Sequence, residues 1–145
     1  MLFESIVVKL MNKSYHEMIQ LTTFEERYQY LKLHGIVGED IFGFNRWINQ
    51  SFYTSRKWRS ARSRVIIRDN GCDLGCEDRP IIYRIQIHHI NPVTIEQLED
   101  EDPILYDLNN LVCTDPMTHK AIHYGDESLL VKDYEPRRPG DTKLW

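Results

Sequence analysis

The fold of this 145-residue chain is decided by two segments, Tyr83-Arg-Ile-Gln-Ile-His-His89 and Asp115-Pro-Met-Thr-His-Lys-Ala-Ile-His123. Together they hold four of the six histidines. In the first segment, apolar and polar residues alternate over six positions, which is the period of a half-buried strand. This period places Tyr83, Ile85 and Ile87 on the inward face. We therefore expect a strand that carries two adjacent histidines at its end.

The second segment has the features of a short helix. Asp115 can cap its first turn, Pro116 fits the first helical position, and Gly125 follows the last turn. His119 and His123 are four residues apart, so their rings leave the same face of the helix one turn apart. Two imidazoles at this spacing can bind a single metal ion.

Three of the histidines can converge on one cation. His88 lies at the strand end, and His119 and His123 lie on the helix, so all three can offer neutral ring nitrogens. Three protein ligands leave coordination positions open for water or a phosphate oxygen, which is typical of a catalytic site. We predict one divalent metal ion as cofactor, and the sequence leaves magnesium, manganese, zinc, nickel and cobalt open.

His89 is available for a different task, because adjacent side chains of a strand point to opposite faces. An imidazole with a pKa of about 6.5 can accept a proton from water, so His89 is the candidate general base. Asn110 lies between the strand and the helix, and its amide can donate and accept hydrogen bonds that fix the loop carrying the base. A zinc protease is excluded, because it would need a glutamate where Lys120 stands.

These residues resemble the signature of the HNH endonucleases. The chain has His88-His-Ile-Asn-Pro92, then Asn110-Leu111, then His119-Lys-Ala-Ile-His123, in the order found in that family. The resemblance implies an α+β protein with a ββα-metal core, also called the His-Me finger, that hydrolyses DNA. It also implies the site: metal ligands at His88, His119 and His123, a base at His89, and Asn110 as the residue that orients this base.

Two groups within the family are most similar. The segment from Asp107 to His123 resembles the colicin DNases without a gap. Roughly residues 55 to 145 resemble the small HNH nucleases of tailed bacteriophages, which are often encoded near terminase genes. This likeness implies DNA as substrate, terminase subunits as further partners and the host cytoplasm as location. One ion and one base address one strand, so we expect nicking by a monomer or a weak dimer.

The cysteines depart from the family pattern. Many HNH proteins hold a structural zinc with two Cys-x-x-Cys pairs, whereas this chain has only Cys72, Cys76 and Cys113. We expect free thiols, and the alternative is a zinc site formed by Cys72, Cys76 and a histidine. An odd number of cysteines fits a reducing compartment such as the cytoplasm. No window reaches the roughly eighteen apolar residues of a membrane span, so no membrane association is expected.

A basic run precedes the strand, although the net charge of the chain is −4. Positions 56 to 68 hold six basic residues and no acid. Trp58, Ala61 and Val65 recur at helical spacing and are expected to pack inward, which leaves the cations to meet phosphates. The predicted DNA contacts are Lys57, Arg59, Arg62, Arg64 and Arg68.

The chain is expected to have two parts. Residues 1–52 form an N-terminal helical extension that braces the core. In it, Ser14 and Thr23 start two short helices, since each is followed three positions later by a glutamate. Gly35 is expected to stop the second helix. Residues 53–145 form the nuclease core with a C-terminal tail from Asp133 that is expected to wrap the surface, and the alternative for this tail is a docking peptide.

The hairpin of the core is expected directly after the basic run. Arg68-Asp-Asn-Gly71 contains Asn-Gly, the strongest short-range turn signal. It predicts a short first strand after the turn, and residues 80–87 are expected to form the second.

Two other functions stay open. The first is a DNA-binding accessory protein of packaging that uses the nuclease fold as a scaffold, so that its role would survive the loss of His89. The second is a homing or restriction nuclease, although 145 residues leave little room for a separate module that reads sequence. Cleavage of a random DNA pool distinguishes them, because a homing enzyme would select a single long site.

Overall fold

The computed structural model describes residues 12–35 and 46–130. Residues 1–11 and 36–45 of the predicted N-terminal extension lie outside this part, as do residues 131–145, which include the predicted tail from Asp133. Within it, helices surround a small two-stranded sheet, so the α+β class is confirmed. The boundary at residues 52 and 53 stays a prediction.

The first two helices begin at the predicted caps. Helix α1 spans Tyr15–Met18, and helix α2 spans Phe24–Leu31. The Ser14 hydroxyl accepts a hydrogen bond from the third backbone N–H after it, and Thr23 does the same, each at 3.2 Å. These bonds satisfy N–H groups that have no partner inside the helix.

Helix α2 ends earlier than predicted. It stops at Leu31, so the expectation that Gly35 ends it was wrong. After Leu31 the chain forms hydrogen bonds with a helix at Pro116–Tyr124: the Leu33 N–H donates to Ile122 O at 2.9 Å, and the Gly35 N–H donates to His123 O at 3.0 Å. Helical periodicity reflects only residues a few positions apart, so it could not predict hydrogen bonds to residues this distant in the sequence.

Two longer helices follow. Helix α3 spans Arg46–Thr54 and helix α4 spans Arg56–Asp69. Trp58, Ala61 and Val65 of α4 are buried, as their spacing predicted. Helix α4 runs on into the expected hairpin turn, because Asn70 closes the helix in the left-handed conformation, with φ 52°. The predicted hairpin forms only in part: a single antiparallel bridge joins Cys72 to Pro80, and among the described residues no strand follows the turn directly.

The sheet pairs strand β1, Gln86–His89, with strand β2, Leu111–Thr114, in antiparallel register. The predicted strand at residues 83–88 is thus shorter at its start, and Tyr83 is 98% exposed instead of inward. A strand extends only as far as its partner, and β2 has four residues. Before β1, the Ile85 carbonyl accepts a bond from the Arg62 guanidinium at 3.2 Å instead of a strand neighbour.

The connection between the strands is built from short elements, and a helix follows β2. Helix α5 spans Ile95–Glu99, and 3-10 turns follow at Pro103–Tyr106 and Leu108–Asn110. Helix α6 spans Pro116–Tyr124 and precedes a 3-10 turn at Glu127–Leu129. The predicted helix at the second histidine segment is confirmed, since Asp115 caps it and Gly125 closes it at φ 65°.

The sheet separates two hydrophobic clusters. Helices α1, α2 and α6 pack against one face, where Val112 of β2 is fully buried. Helices α3 and α4 pack against the other face, together with Leu111 and Cys113. All three cysteines are buried and none forms a disulfide. No helix in the described part is long and apolar enough to cross a membrane.

The two glycines at the ends of α4 and α6 provide a test of this packing. Gly71 and Gly125 both have φ near +65°, but a Cβ at Gly71 would meet only the Ile85 methyl, at 3.6 Å. A Cβ at Gly125 would collide with the Leu33 carbonyl oxygen. We expect Gly71→Ala to lower the free energy of unfolding by about 1–2 kcal/mol and Gly125→Ala to lower it by about 3 kcal/mol or more. Urea denaturation of both variants measures the difference, and equal losses would contradict the close approach of α6 and Leu33.

Candidate metal centre

The three predicted metal ligands meet on one face of the sheet. His88 pairs with Val112, and its ring therefore faces the cluster that contains α6. His119 and His123 leave α6 toward it. One ring nitrogen from each of the three histidines can be chosen so that all lie within 4.8 Å of one another. The strand and the helix thus bring three side chains together. His88 is 31 residues from His119 and 35 residues from His123 along the sequence.

The rings are arranged with their edges toward one another. The Nε2 atoms of His119 and His123 are 3.1 Å apart. The ring centroids of His88 lie 5.3 Å from His119 and 5.1 Å from His123, and both pairs are close to perpendicular. Ring nitrogens at these separations are close enough for one divalent cation to bind all three histidines.

His88 gives the strongest sign that this space takes a ligand. It is 1% exposed, and neither of its ring nitrogens has a hydrogen-bond partner among the described residues. A buried polar group without a partner costs about 1–3 kcal/mol, and folded proteins seldom keep one without a reason. A metal ion bound by one of these nitrogens would satisfy it, so the donor set fits a transition-metal cation.

Burial also keeps the three rings neutral. It lowers the pKa of His88 well below the ordinary value, and the neighbouring imidazoles lower it further. The pKa of His119 falls to about 4, and that of His123 is lowered as well, in each case chiefly because of burial. Neutral imidazoles carry the lone pair that a metal ion binds, so the site needs no deprotonation at neutral pH.

A buried carboxylate fixes the start of α6. Asp73 accepts hydrogen bonds from the Thr118 hydroxyl at 2.5 Å and from the Asp115 N–H at 3.1 Å. Burial raises the pKa of Asp73 to about 6, which these hydrogen bonds partly offset. Because Thr118 precedes His119 in the same helix, the contact sets the rotation of α6 and hence the direction of both of its histidines.

His89 enters the opposite hydrophobic cluster. Its ring stacks on Trp58 at 5.1 Å between centroids and 21° between planes, and it is 7% exposed. Burial lowers the pKa of His89 to about 4. Its Nε2 lies 3.1 Å from the Leu105 carbonyl oxygen, which can only accept, so this nitrogen carries the proton. The Nδ1 atom is then the basic nitrogen, and no described group hydrogen-bonds it.

Asn110 is buried between the loops that flank the site. Its Oδ1 accepts hydrogen bonds from the backbone N–H and the side-chain amide of Asn91, both at 2.9 Å. Its Nδ2 donates to Ile104 O at 3.2 Å, one residue before the carbonyl that binds His89. Asn110 thus fixes loops on both sides of the candidate base, and its effect on His89 is indirect.

The five predicted DNA contacts differ in their surroundings. The Arg68 guanidinium donates to the Leu108 and Leu111 carbonyl oxygens, pairs with Asp69, and lies 3.4 Å from the Tyr15 ring centroid. The Arg62 guanidinium donates one hydrogen bond to the Ile85 carbonyl oxygen. The other three predicted contacts, Lys57, Arg59 and Arg64, are exposed.

Helix α4 forms one wall of a groove with a volume of about 580 Å³. Arg56, Lys57 and Arg64 line this wall, and Glu101 and Asp107 line the groove as well. The Lys57 ammonium lies 5.8 Å from the centroid of the Tyr106 ring, another lining residue. The groove is therefore mixed in charge, with its cations on one helix.

Three contributors to the site were missed from the sequence. Trp58 was predicted only as a core residue, and its stacking on His89 depends on a sequence separation of 31 residues. The Leu105 carbonyl belongs to the backbone, so no residue type in the sequence indicates that it binds His89. Asn91 could have been found from the sequence. It is a polar residue inside the motif His88-His-Ile-Asn-Pro92, and it follows the buried Ile90.

Comparison of the chain with models of protein families, with curated proteins and with solved structures gave no match. The resemblance to the HNH endonucleases therefore rests on the motif residues, and it stays a prediction.

The histidine cluster predicts a metal affinity that single substitutions remove. We expect the protein to bind one Co²⁺ or Zn²⁺ ion and His119→Ala or His123→Ala to weaken binding by about 100-fold or more, since losing even a supporting group costs roughly 10- to 100-fold. His16→Ala is the matched control, because His16 is exposed and lies outside the cluster. Calorimetry and the visible spectrum of bound Co²⁺ measure the affinity. Equal affinity in the native protein and His123→Ala would contradict the site.

Proposed function

We propose that this protein is a divalent-metal-dependent DNA endonuclease of the HNH type, with β1, β2 and α6 as its ββα-metal core. The observation that carries the proposal is the pairing of two unlike histidines on one strand. His88 brings unpartnered buried nitrogens to His119 and His123. His89, its neighbour, is a neutral imidazole with one nitrogen fixed by a carbonyl and the other basic. The candidate ligand and the candidate base are thus neighbours along β1, with their rings on opposite faces of the sheet.

The residues divide the reaction between them. His88, His119 and His123 would hold the ion, which when bound supplies Lewis-acid stabilisation of charge on the scissile phosphate. His89 accepts a proton from the attacking water at Nδ1, and the Leu105 carbonyl keeps the required tautomer. At neutral pH the lowered pKa of His89 keeps the ring unprotonated.

The exposed cations of α4 support DNA as the substrate. Phosphate contacts supply most sequence-independent affinity, and Lys57, Arg59 and Arg64 are exposed on this helix. The inner face of this helix carries Trp58, which stacks on His89 of β1, so the helix that holds the cations also contacts the candidate base. Arg62 and Arg68 have protein partners and would add less. One ion site and one base predict cleavage of one strand at a time, by a monomer or weak dimer.

One observation favours a second candidate function. His89 is 7% exposed, and a general base needs a path for water. A protein that binds DNA and terminase subunits during packaging, and that uses this fold as a scaffold, would not need such a path. The two functions differ in a single measurable property, which is cleavage.

A plasmid-nicking assay tests the proposal. We expect the native protein to nick supercoiled plasmid with at least one of Mg²⁺, Mn²⁺, Co²⁺, Ni²⁺ or Zn²⁺. His89→Ala should lower the rate constant by about 10²- to 10⁴-fold, the usual contribution of a general base, while Co²⁺ binding is kept. His123→Ala should lose both nicking and metal binding.

Each outcome of that assay assigns a function. If folded native protein binds plasmid but cuts it with none of the metals, the scaffold function replaces the nuclease. If His89→Ala cuts at the native rate, His89 is not the base. His16→Ala controls for the loss of a histidine at an exposed position outside the site.

The DNA surface makes a separate prediction about salt. Replacing Lys57, Arg59 and Arg64 together with glutamine should make the negative slope of log K against log salt concentration shallower by about 2.7, or about 0.9 per phosphate contact. Lys32→Gln is the control, because Lys32 ends α2 on the other side of the sheet. Fluorescence anisotropy of a labelled duplex between low and moderate salt measures both slopes. An unchanged slope in the triple variant would exclude α4 as the DNA surface.

A further inference from the structure

We infer that the backbone of the N-terminal segment at Lys13 is part of the candidate site, and that Asn91 is the positioning residue that joins it to the base His89. This inference rests on the proposed function for its meaning in catalysis. Its structural content, a continuous connection from Lys13 to His89, is testable without cleavage. Neither Lys13 nor Asn91 belongs to the predicted set of metal ligands, base and DNA contacts.

Asn91 binds the N-terminal segment through both ends of its amide. Its Oδ1 accepts from the Lys13 N–H at 3.0 Å, and its Nδ2 donates to the Lys13 carbonyl oxygen at 2.8 Å. This reciprocal pair uses the donor and the acceptor of one backbone residue, as a neighbouring strand would. The two residues are 78 positions apart, so the contact is tertiary.

Asn91 also holds the loop that carries the base. Its backbone N–H and its Nδ2 both donate to Asn110 Oδ1 at 2.9 Å, and the preceding Ile90 N–H donates to Asn110 O at 2.8 Å. Asn110 in turn donates to the Ile104 carbonyl oxygen, and the next carbonyl, that of Leu105, binds His89. A path of hydrogen bonds, with one backbone step from Ile104 to Leu105, therefore runs from Lys13 through two asparagines to the candidate base.

The chemistry of this path requires asparagine at position 91. The Nδ2 group of Asn91 faces two oxygen acceptors, Lys13 O and Asn110 Oδ1. Aspartate has the same shape, but its second oxygen would face these acceptors without a proton to share. Asn91→Asp should therefore disturb the path at least as much as Asn91→Ala, although it is the more conservative change in volume.

A second contact to the same segment supplies a control. The His16 N–H donates to Asn109 Oδ1 at 2.9 Å, but Asn109 is exposed and its side chain is not on the path to His89. Asn109→Ala thus removes a bond to the N-terminal segment and leaves the connection through Asn91 in place.

The first experiment measures nicking at saturating metal and plasmid for Asn91→Ala, Asn91→Asp and Asn109→Ala. We expect kcat to fall by about 10- to 100-fold in both Asn91 variants, because small displacements of a catalytic group cost this much. KM for plasmid and the Kd for Co²⁺ should stay within about twofold, as should every constant of Asn109→Ala. Activities are divided by the folded fraction from circular dichroism, so a loss due to unfolding alone is removed.

The second experiment measures amide hydrogen exchange, which does not depend on cleavage. Both Asn91 variants should exchange faster at residues 89–92 and at 103–106, where Leu105 lies, and at the native rate in β2. Lys13→Pro removes the N–H that Asn91 accepts, whereas Lys13→Ala keeps it. We expect Lys13→Pro to exchange about five- to tenfold faster than Lys13→Ala in these two segments, which corresponds to the loss of one hydrogen bond.

The outcomes separate this inference from the proposed function. Native kcat and native exchange in both Asn91 variants would overturn the inference. So would a loss of kcat that follows the folded fraction or the Kd for Co²⁺. If the native protein does not nick at all, the proposed function fails, and exchange alone decides the connection. Faster exchange at residues 103–106 then supports it, and unchanged exchange there overturns it.

Discussion

The antiparallel pairing of β1 with β2 is the constraint on which the rest of the structure depends. Because side chains alternate along a strand, the register sends His88 to the face of α6 and His89 to the face of α4. A slip by one residue would turn His88 away from α6 and turn His89 toward it, so the candidate ligand and the candidate base would change places. Asp69 of α4 secures the register, since its carboxylate accepts from the Cys113 N–H in β2 at 2.9 Å, and Arg68 beside it binds the carbonyls at the start of that strand.

The hydrogen bonding of His88 differs from that of three other buried polar residues. Asp69, Asp73 and Asn110 are buried, and each has hydrogen-bond partners in the protein, whereas the nitrogens of His88 have none among the described residues. Folded proteins concentrate such costs at functional sites, where well-bonded neighbours hold the costly group in place. The unpartnered nitrogens of His88 thus lower the stability of the fold locally, and the hydrogen bonds of the neighbouring buried groups offset this loss.

Local chemistry made part of this structure predictable. The caps of α1, α2 and α6 need only short spacings, and the two histidines of α6 follow from one helical turn, so the sequence predicted them. The length of β1 depends on a partner 22 or more residues away, and the end of α2 depends on bonds to α6. Periodicity carries no information on either. The orientation of His89 depends on a backbone carbonyl at Leu105, which no residue type reveals.

The contact between Lys13 and Asn91, 78 residues apart, has a consequence for the order of assembly. Closing so long a loop costs chain entropy before its hydrogen bonds form, and distant contacts tend to form late in folding. The candidate centre also requires His123, which is synthesised after both of these residues. A nascent chain or a fragment cut between the helices would therefore contain most of the elements without a complete centre. The three-histidine set would therefore be complete only after the chain has been extended through His123.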